Sequence, residues 1–164
     1  MERTEAVILA ETFDYVRKMT KHIAKYLKDI DKTKRIEANG FTFNSPLWIM
    51  AHLTWAEHSI LIVGVGGKPM DIPWLEKVSI STNPDDLIDL PSHEEIIQTM
   101  DIVHQTAMDT VKALTDEELD QPNTAPGFNP ATTKRVVIQH AIRHEPMHAG
   151  HLSWLAKLNG IKTF

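Results

Sequence analysis

The amino-acid sequence predicts an all-α fold, an antiparallel or crossed four-helix bundle that forms one domain over residues 1 to 164. Apolar residues recur at helical spacing or dominate in four segments, and no segment shows the sustained alternation that marks a strand of consequence. The segments begin and end at residues that commonly cap helices. Helices without a sheet are typical of a bundle, in which functional side chains face inward from different helices.

The composition excludes several classes of function. Cysteine is absent, which rules out disulfides, thiolate metal ligands and a nucleophilic cysteine of the chain's own, and we expect a cytoplasmic protein. The first residues have neither the basic nor the apolar stretch of an export signal, and no run reaches the ~18 apolar residues of a membrane span. The net charge is −5 and basic residues are scattered, so we expect no nucleic-acid partner.

The first helix is predicted from Thr4 to about Ile30, because apolar residues recur there at helical spacing. These residues are Leu9, Phe13, Val16, Ile23, Leu27 and Ile30. A connection follows, with the turn pair Asn39-Gly40 and room for a short extended piece.

The second helix is predicted to open sharply, with Ser45 as its N-cap and Pro46 in its first turn. It ends by Gly64 to Gly67. Its residues are apolar on almost every side, so we expect it to be buried on several sides.

A long connection covers residues 65 to 91, which contain four prolines and little periodicity. A connection of this length is often a lid, a binding loop or a crossover. We expect Trp74 and the segment 85 to 90 to pack back as short helical turns. The third helix then begins at the capping pattern of Ser92 and Glu95.

The last part of the chain holds a second capping box, Thr115 to Glu118, which starts a short turn. After a loop rich in proline and glycine, the fourth helix is predicted from about Thr133 to Asn159. Gly160 is placed to end it in a left-handed conformation.

Four of the nine histidines lie in this last helix, spaced four, four and three residues apart. They are His140, His144, His148 and His151. The spacing puts them on one helix face, where a core would carry Leu, Ile or Ala, because a buried imidazole needs partners for two ring nitrogens. Three collinear imidazoles span roughly 10–11 Å and cannot all reach one ion, so a further ligand must come from another helix.

The second helix offers two histidines for that role, His52 and His58. They are six residues apart and point to different faces, so only one can join a cluster on another helix. His52 has the more apolar neighbours at helical spacing, among them Trp48 and Trp55, and we favour it.

A zinc-protease motif is the main rival interpretation, because His144–His148 reads HEPMH and formally matches HExxH. The extended motif requires Gly at position 151 and His at 154, where the sequence has His151 and Trp154. No Asp or Glu follows Glu145, so a downstream carboxylate ligand is impossible. Pro146 also removes a helical hydrogen bond and is expected to bend the helix between the two histidines. These observations disfavour a protease.

The buried segment WIMAHLTWAEH around His52 and the later HxxxHxG give the sequence a resemblance to the DinB/YfiT-like family of four-helix bundles, over nearly its whole length. The resemblance implies a long crossover after the second helix, in keeping with residues 65 to 91. It implies a divalent metal, zinc or nickel, held by His52, His144 and His148. It also implies a homodimer.

Two positions depart from the family pattern. Pro146 lies inside the motif helix and puts the alignment of His144 with His148 in doubt. His151 stands where Gln is more usual, and we place it, with His140, in the pocket or beside the ligands.

The better understood members of that family are transferases and isomerases in which the metal binds a low-molecular-weight thiol such as bacillithiol or mycothiol. A chain without cysteine would have to borrow its thiol, so our leading hypothesis is a metal-dependent thiol transferase that acts on small electrophiles. A hydrolase that uses metal-bound water is an alternative. Another is a non-catalytic bundle whose metal site is closed by a fourth ligand, His140 or Glu57. In the last alternative, the histidines of the fourth helix form a polar face that binds no metal.

Of the remaining titratable candidates, the histidines are given structural roles and the glutamates no catalytic role. His22 and His104 lie beside the apolar stripes of their helices, and such histidines are usually structural. Glu57 and Glu145 are each one residue along from a histidine, so they lie about 100° off its face, where a charged residue is usually solvated.

Overall fold

The computed structural model describes residues 3–80, 82 and 89–163, and it confirms the all-α prediction. The long helices of the described chain are α1 (Glu5–Ala24), α2 (Pro46–Glu57), α3 (His93–Lys112) and α5 (Lys134–Leu158), with the short α4 (Asp116–Leu119) before the last. The strands β1 (Glu37–Ala38) and β2 (Phe41–Thr42) form an antiparallel hairpin.

The helices begin where the capping residues predict. Ser45 Oγ accepts the backbone N–H of Trp48, and Pro46 occupies the first helical position of α2, where its missing N–H costs nothing. Thr115 and Glu118 make both hydrogen bonds of the predicted capping box. At the other end of α5, Gly160 adopts the left-handed conformation expected of it, with a φ of 76°.

The end of the first helix differs from the prediction, and the second helix ends where predicted, before Gly66, but with an unexpected bonding pattern. The first helix changes at Ala24 to a 3₁₀ turn over Lys25–Leu27, short of Ile30. The second loses α-helical bonding after Glu57 and continues as a π-helical turn (His58–Ile62) and a 3₁₀ turn (Val63–Val65). Apolar spacing cannot separate these bonding patterns, because one extra residue in a turn leaves the same side chains buried.

Helices α1 and α5 run in the same direction. Arg135 forms an ion pair with Glu5, its Nε 2.7 Å from Oε1, so the two helix starts lie together. Further along, Arg17 Nε is 3.0 Å from Glu145 Oε1. The same order of contacts along both helices is possible only in a parallel pair.

Helices α2 and α3 are also parallel to each other. Glu57 contacts His104, and beyond the end of α2, Gly67 approaches Thr110.

His52 lies beside His148, while Gly66, just beyond α2, lies beside Lys134 at the start of α5, so α2 and α5 run in opposite directions. The bundle therefore has an up-down-down-up order, and the α2 to α3 connection must cross its full length. The predicted crossover is therefore confirmed, although residues 83–88, with most of the segment expected to form helical turns, lie outside the described part of the chain.

The apolar side chains buried in the described chain form one cluster, drawn from all four long helices. Every residue of α2 is buried, as its nearly uniform apolar sequence predicts. Trp74 packs into the same cluster ahead of a 3₁₀ turn over Leu75–Val78. Among the described helices, none is long and apolar enough to cross a bilayer.

Candidate metal centre

His52 is fixed in the middle of α2 by three neighbours. Its imidazole stacks between the rings of Trp48 and Trp55, with ring centroids 4.7 Å and 5.4 Å away. Its Nδ1 is 2.7 Å from the Val78 carbonyl oxygen, and since a carbonyl can only accept, Nδ1 carries the proton and donates it. This arrangement leaves the Nε2 lone pair as a metal ligand, with the ring held by a backbone carbonyl as is usual for metal-binding histidines.

His144 and His148 lie one turn apart on α5, and their Nε2 atoms are 3.1 Å apart. The helix is continuous from Lys134 to Leu158 with Pro146 inside it. The two rings therefore lie together with Pro146 between them in the chain, and the expected bend of the helix stays a prediction.

The three imidazoles converge across the interface between α2 and α5. Their candidate ligand atoms all lie within 4.8 Å of one another. Tetrahedral zinc, with bonds of about 2.0–2.1 Å, holds neighbouring ligand nitrogens about 3.3 Å apart, close to the 3.1 Å between His144 and His148. His52, His144 and His148 could thus hold one divalent ion, and within the described chain no fourth protein ligand joins them.

The electrostatics of the site favour neutral imidazoles. Burial, and then the charges of the neighbouring histidines, lower the pKa of His144 to about 4 and that of His148 to about 3. Burial also lowers the pKa of His52, although its bond to Val78 acts in the opposite direction. At neutral pH the rings are therefore unprotonated, which is the form that binds a metal.

His140 and His151 flank these three residues without joining them. The His140 ring is 5.6 Å from that of His144 and meets Phe128 edge-on at 4.9 Å. The exposed His151 ring is 5.2 Å from that of His148. Both histidines lie beside the candidate ligands, and their functional roles stay predictions.

A family model described as the DinB superfamily matches residues 12–152 of the chain. The chain belongs to the DinB superfamily. The match includes all three converging histidines, so the resemblance inferred from the histidine placement is confirmed. No curated protein matches the sequence.

The other histidine predicted for the second helix lies just after α2 in this DinB-superfamily chain and is turned away from the site. His58 is buried, and its Nε2 accepts the backbone N–H of Met70 at 3.0 Å. Only His52 of the two therefore joins the histidines of α5, as their separation predicts.

A buried ion network lies behind the histidines and was not predicted. Arg17, on α1, places Nη2 2.7 Å from Glu57 Oε2 and 3.1 Å from Glu145 Oε2. Glu57 Oε1 is also 2.7 Å from His104 Nδ1, and His104 Nε2 is 3.0 Å from Asp14 Oδ1. The expected solvated position of the two glutamates is wrong, because Arg17 compensates their charge inside the bundle.

This network also removes Glu57 as a fourth metal ligand, since one of its oxygens faces Arg17 and the other faces His104. Burial raises the pKa of Glu145, and Arg17 opposes that rise. The sequence did contain a signal for the network. Arg17 follows Phe13 by four residues and precedes Thr20 by three, and all three are buried on α1.

A cleft of about 450 Å³ opens beside the histidines of this DinB-superfamily site. His148 and His151 form part of its wall, and Phe43, Ile49 and Trp154 form much of the rest. The cleft is large enough for a small molecule that approaches His148 from solvent. The sequence did not predict it, because its wall combines the end of the hairpin with two separate helices.

Proposed function

We propose that this protein is a divalent-metal-dependent enzyme that transfers a low-molecular-weight thiol to small electrophilic molecules. One observation carries the proposal: three neutral imidazoles converge without a fourth protein ligand in the described chain, beside a cleft that reaches His148. A metal site with about three protein ligands is typical of catalysis, while structural sites are usually closed by four.

The donor set favours Zn²⁺ or Ni²⁺, because imidazole nitrogen suits both ions. When bound, such an ion lowers the pKa of a thiol or a water at its open position and makes a nucleophile near neutral pH. Trp48, Trp55 and the Val78 carbonyl hold His52 in the tautomer that this role requires. His144 and His148 remain unprotonated through burial.

The absence of cysteine supports a borrowed thiol, since the chain has no sulfur nucleophile of its own. In the proposed reaction the thiol loses its proton to solvent, and its sulfur forms a bond with the electrophilic carbon. The leaving group departs with the bonding electron pair. The cleft beside His148 would hold the electrophile, and bacillithiol and mycothiol are the thiols to test first.

The first experiment is the metal content of untagged protein, measured by mass spectrometry for the parent, His52→Ala and His148→Ala. His22→Ala is the matched control, because His22 lies exposed on α1 beside Tyr26. We expect about one ion per chain in the parent and the control, and loss of the ion in both site variants. A parent that binds no ion after incubation with Zn²⁺ and Ni²⁺ would overturn the proposal.

Activity then separates thiol transfer from hydrolysis at the same histidines. The metal-loaded protein is mixed with chlorodinitrobenzene, with and without each thiol, and separately with nitrophenyl acetate. Conjugation that requires both thiol and metal supports the transferase. Metal-dependent ester cleavage without thiol would instead indicate the hydrolase. If the protein catalysed neither reaction, it would be a metal-binding protein of another kind.

We also propose a homodimer, which the family resemblance implies. A groove of about 430 Å³ between α1 and α5 is bordered by the exposed apolar side chains of Tyr15 and Met19. A second copy would cover this surface. Light scattering of the parent and of Tyr15→Glu tests this, with a dimer expected only for the parent. A cytoplasmic location stays a prediction.

A further inference from the structure

The cleft beside His148 is lined by large apolar side chains, several of which are exposed to solvent. Five of its nine lining residues are large and apolar: Phe43, Ile49, Trp154, Leu155 and Leu158. Phe43 is 43% exposed, Leu158 49% and Trp154 66%. Large apolar side chains exposed around a concave surface are typical of a ligand site, since contact with a ligand removes them from water.

None of the nine residues that line the cleft is Lys, Arg, Asp or Glu. The nearby ammonium of Lys157 lies over the Trp154 ring, 5.7 Å from its centroid, and outside the lining. A charged ligand would therefore give up hydration in this cleft without gaining an ionic partner from its walls.

We propose that the cleft binds an uncharged molecule with an aromatic or branched apolar body, which packs against Phe43 and Trp154 with its other end towards His148. The volume of about 450 Å³ is about three times that of a cavity known to hold benzene, so a substituted ring fits. As a substrate class, this rests on the function proposed above. As a statement about binding, it depends only on the cleft.

The test compares ligands of nearly the same shape that differ in charge. Methyl phenyl sulfone is neutral, benzenesulfonate is its anionic counterpart, and benzyltrimethylammonium supplies a cation on a similar ring. Ligand-observed NMR titrations measure each dissociation constant with protein freed of metal by chelation, so that no ion at His148 supplies a counter-charge. We expect the sulfone to bind at least about tenfold more tightly than either ion, because neither ion finds a counter-charge.

Two variants of the hairpin region locate the binding. Phe43→Ala removes part of the cleft wall and should weaken sulfone binding at least about fivefold. Phe41→Ala, two residues away, is the matched control, because Phe41 is 73% exposed and does not line the cleft. Both changes affect exposed side chains, so both proteins should fold as the parent does.

Equal or tighter binding of either ion would overturn the inference, and so would equal effects of the two variants or no sulfone binding. The outcome is separable from that of the metal measurement. Neutral selectivity in a protein that binds no metal would leave the cleft assigned and the enzyme proposal refuted. A protein that binds metal but shows no preference for the neutral ligand when metal-free would refute this inference and leave the enzyme proposal standing.

Discussion

Replacing Arg17 with methionine should cause a large loss of stability. Its guanidinium lies inside the bundle with 1% of the side chain exposed, in contact with Glu57, Glu145 and the carbonyl of Leu53. Arg17→Met keeps the apolar part of the side chain and leaves two buried carboxylates without their cation. Breaking a buried pair in this way costs about 3–5 kcal/mol.

For a chain of this length, that loss lowers the melting temperature by roughly 6–20 °C. Urea unfolding followed by circular dichroism measures the free energy directly. Lys18→Met is the matched control, because Lys18 is the next residue and pairs with Asp14 while its side chain is 71% exposed. An exposed pair of this kind is worth less than about 1 kcal/mol.

The pH dependence of the same variant adds a second check. Burial already raises the pKa of Glu145, and loss of Arg17 should raise it further. The folded variant then binds protons at Glu145 that the unfolded chain does not, so the stability lost relative to the parent should shrink as the pH falls from neutral. If Arg17→Met cost no more than Lys18→Met, the argument that Arg17 compensates buried charge would be refuted.

Three further predictions concern other parts of the molecule. Burial alone would lower the pKa of His104, but its two carboxylate partners outweigh burial and raise it. The stabilisation from His104 is therefore complete below pH 6.5, the pKa of the unfolded state, and is lost as the pH rises through the raised pKa of the folded state. The unfolding free energy of the parent should exceed that of His104→Asn by more at about pH 5.5 than at about pH 9. Gly67→Ala should lower the free energy of unfolding in urea by about 1–3 kcal/mol, because its Cβ would lie 2.8 Å from Thr110 Cγ2. The Cβ of Gly150→Ala meets nothing within 4 Å, so this control should raise the free energy of unfolding by about 0.5–1 kcal/mol. Chelation should lower the unfolding free energy by about 2.7 kcal/mol relative to protein in free metal at about 100 times the dissociation constant, and calorimetry that shows no change would count against a bound ion.

The sequence was sufficient to predict where the long helices lie and which histidines lie close together. Ser45 and Pro46 fixed the start of α2, and the spacing of His144 and His148 put both on one face of α5. These features are local, so helical geometry alone determines them. The choice of His52 depended on its apolar neighbours, which the stacked tryptophans now explain.

The sequence was not sufficient where partners come from separate helices. Helical spacing shows which face Glu57 and Glu145 occupy, but it does not show that Arg17 lies opposite both. The Val78 carbonyl could not be assigned to His52 either, because backbone atoms leave no trace in residue identity. Nor could the sequence show that His144 and His148 lie close together with Pro146 between them, since the ring positions depend on the packing of α5.

The converging histidines belong to parts of the chain about 90 residues apart, so an unfolded chain must close a long loop before they can meet. An ion that binds only the assembled site would link the two helices reversibly, and its binding free energy would add to that of folding. In a chain without disulfides, this part of the folding free energy would come from outside the polypeptide. A cell deprived of the metal would then lose the protein through unfolding and degradation as well as through inactivity.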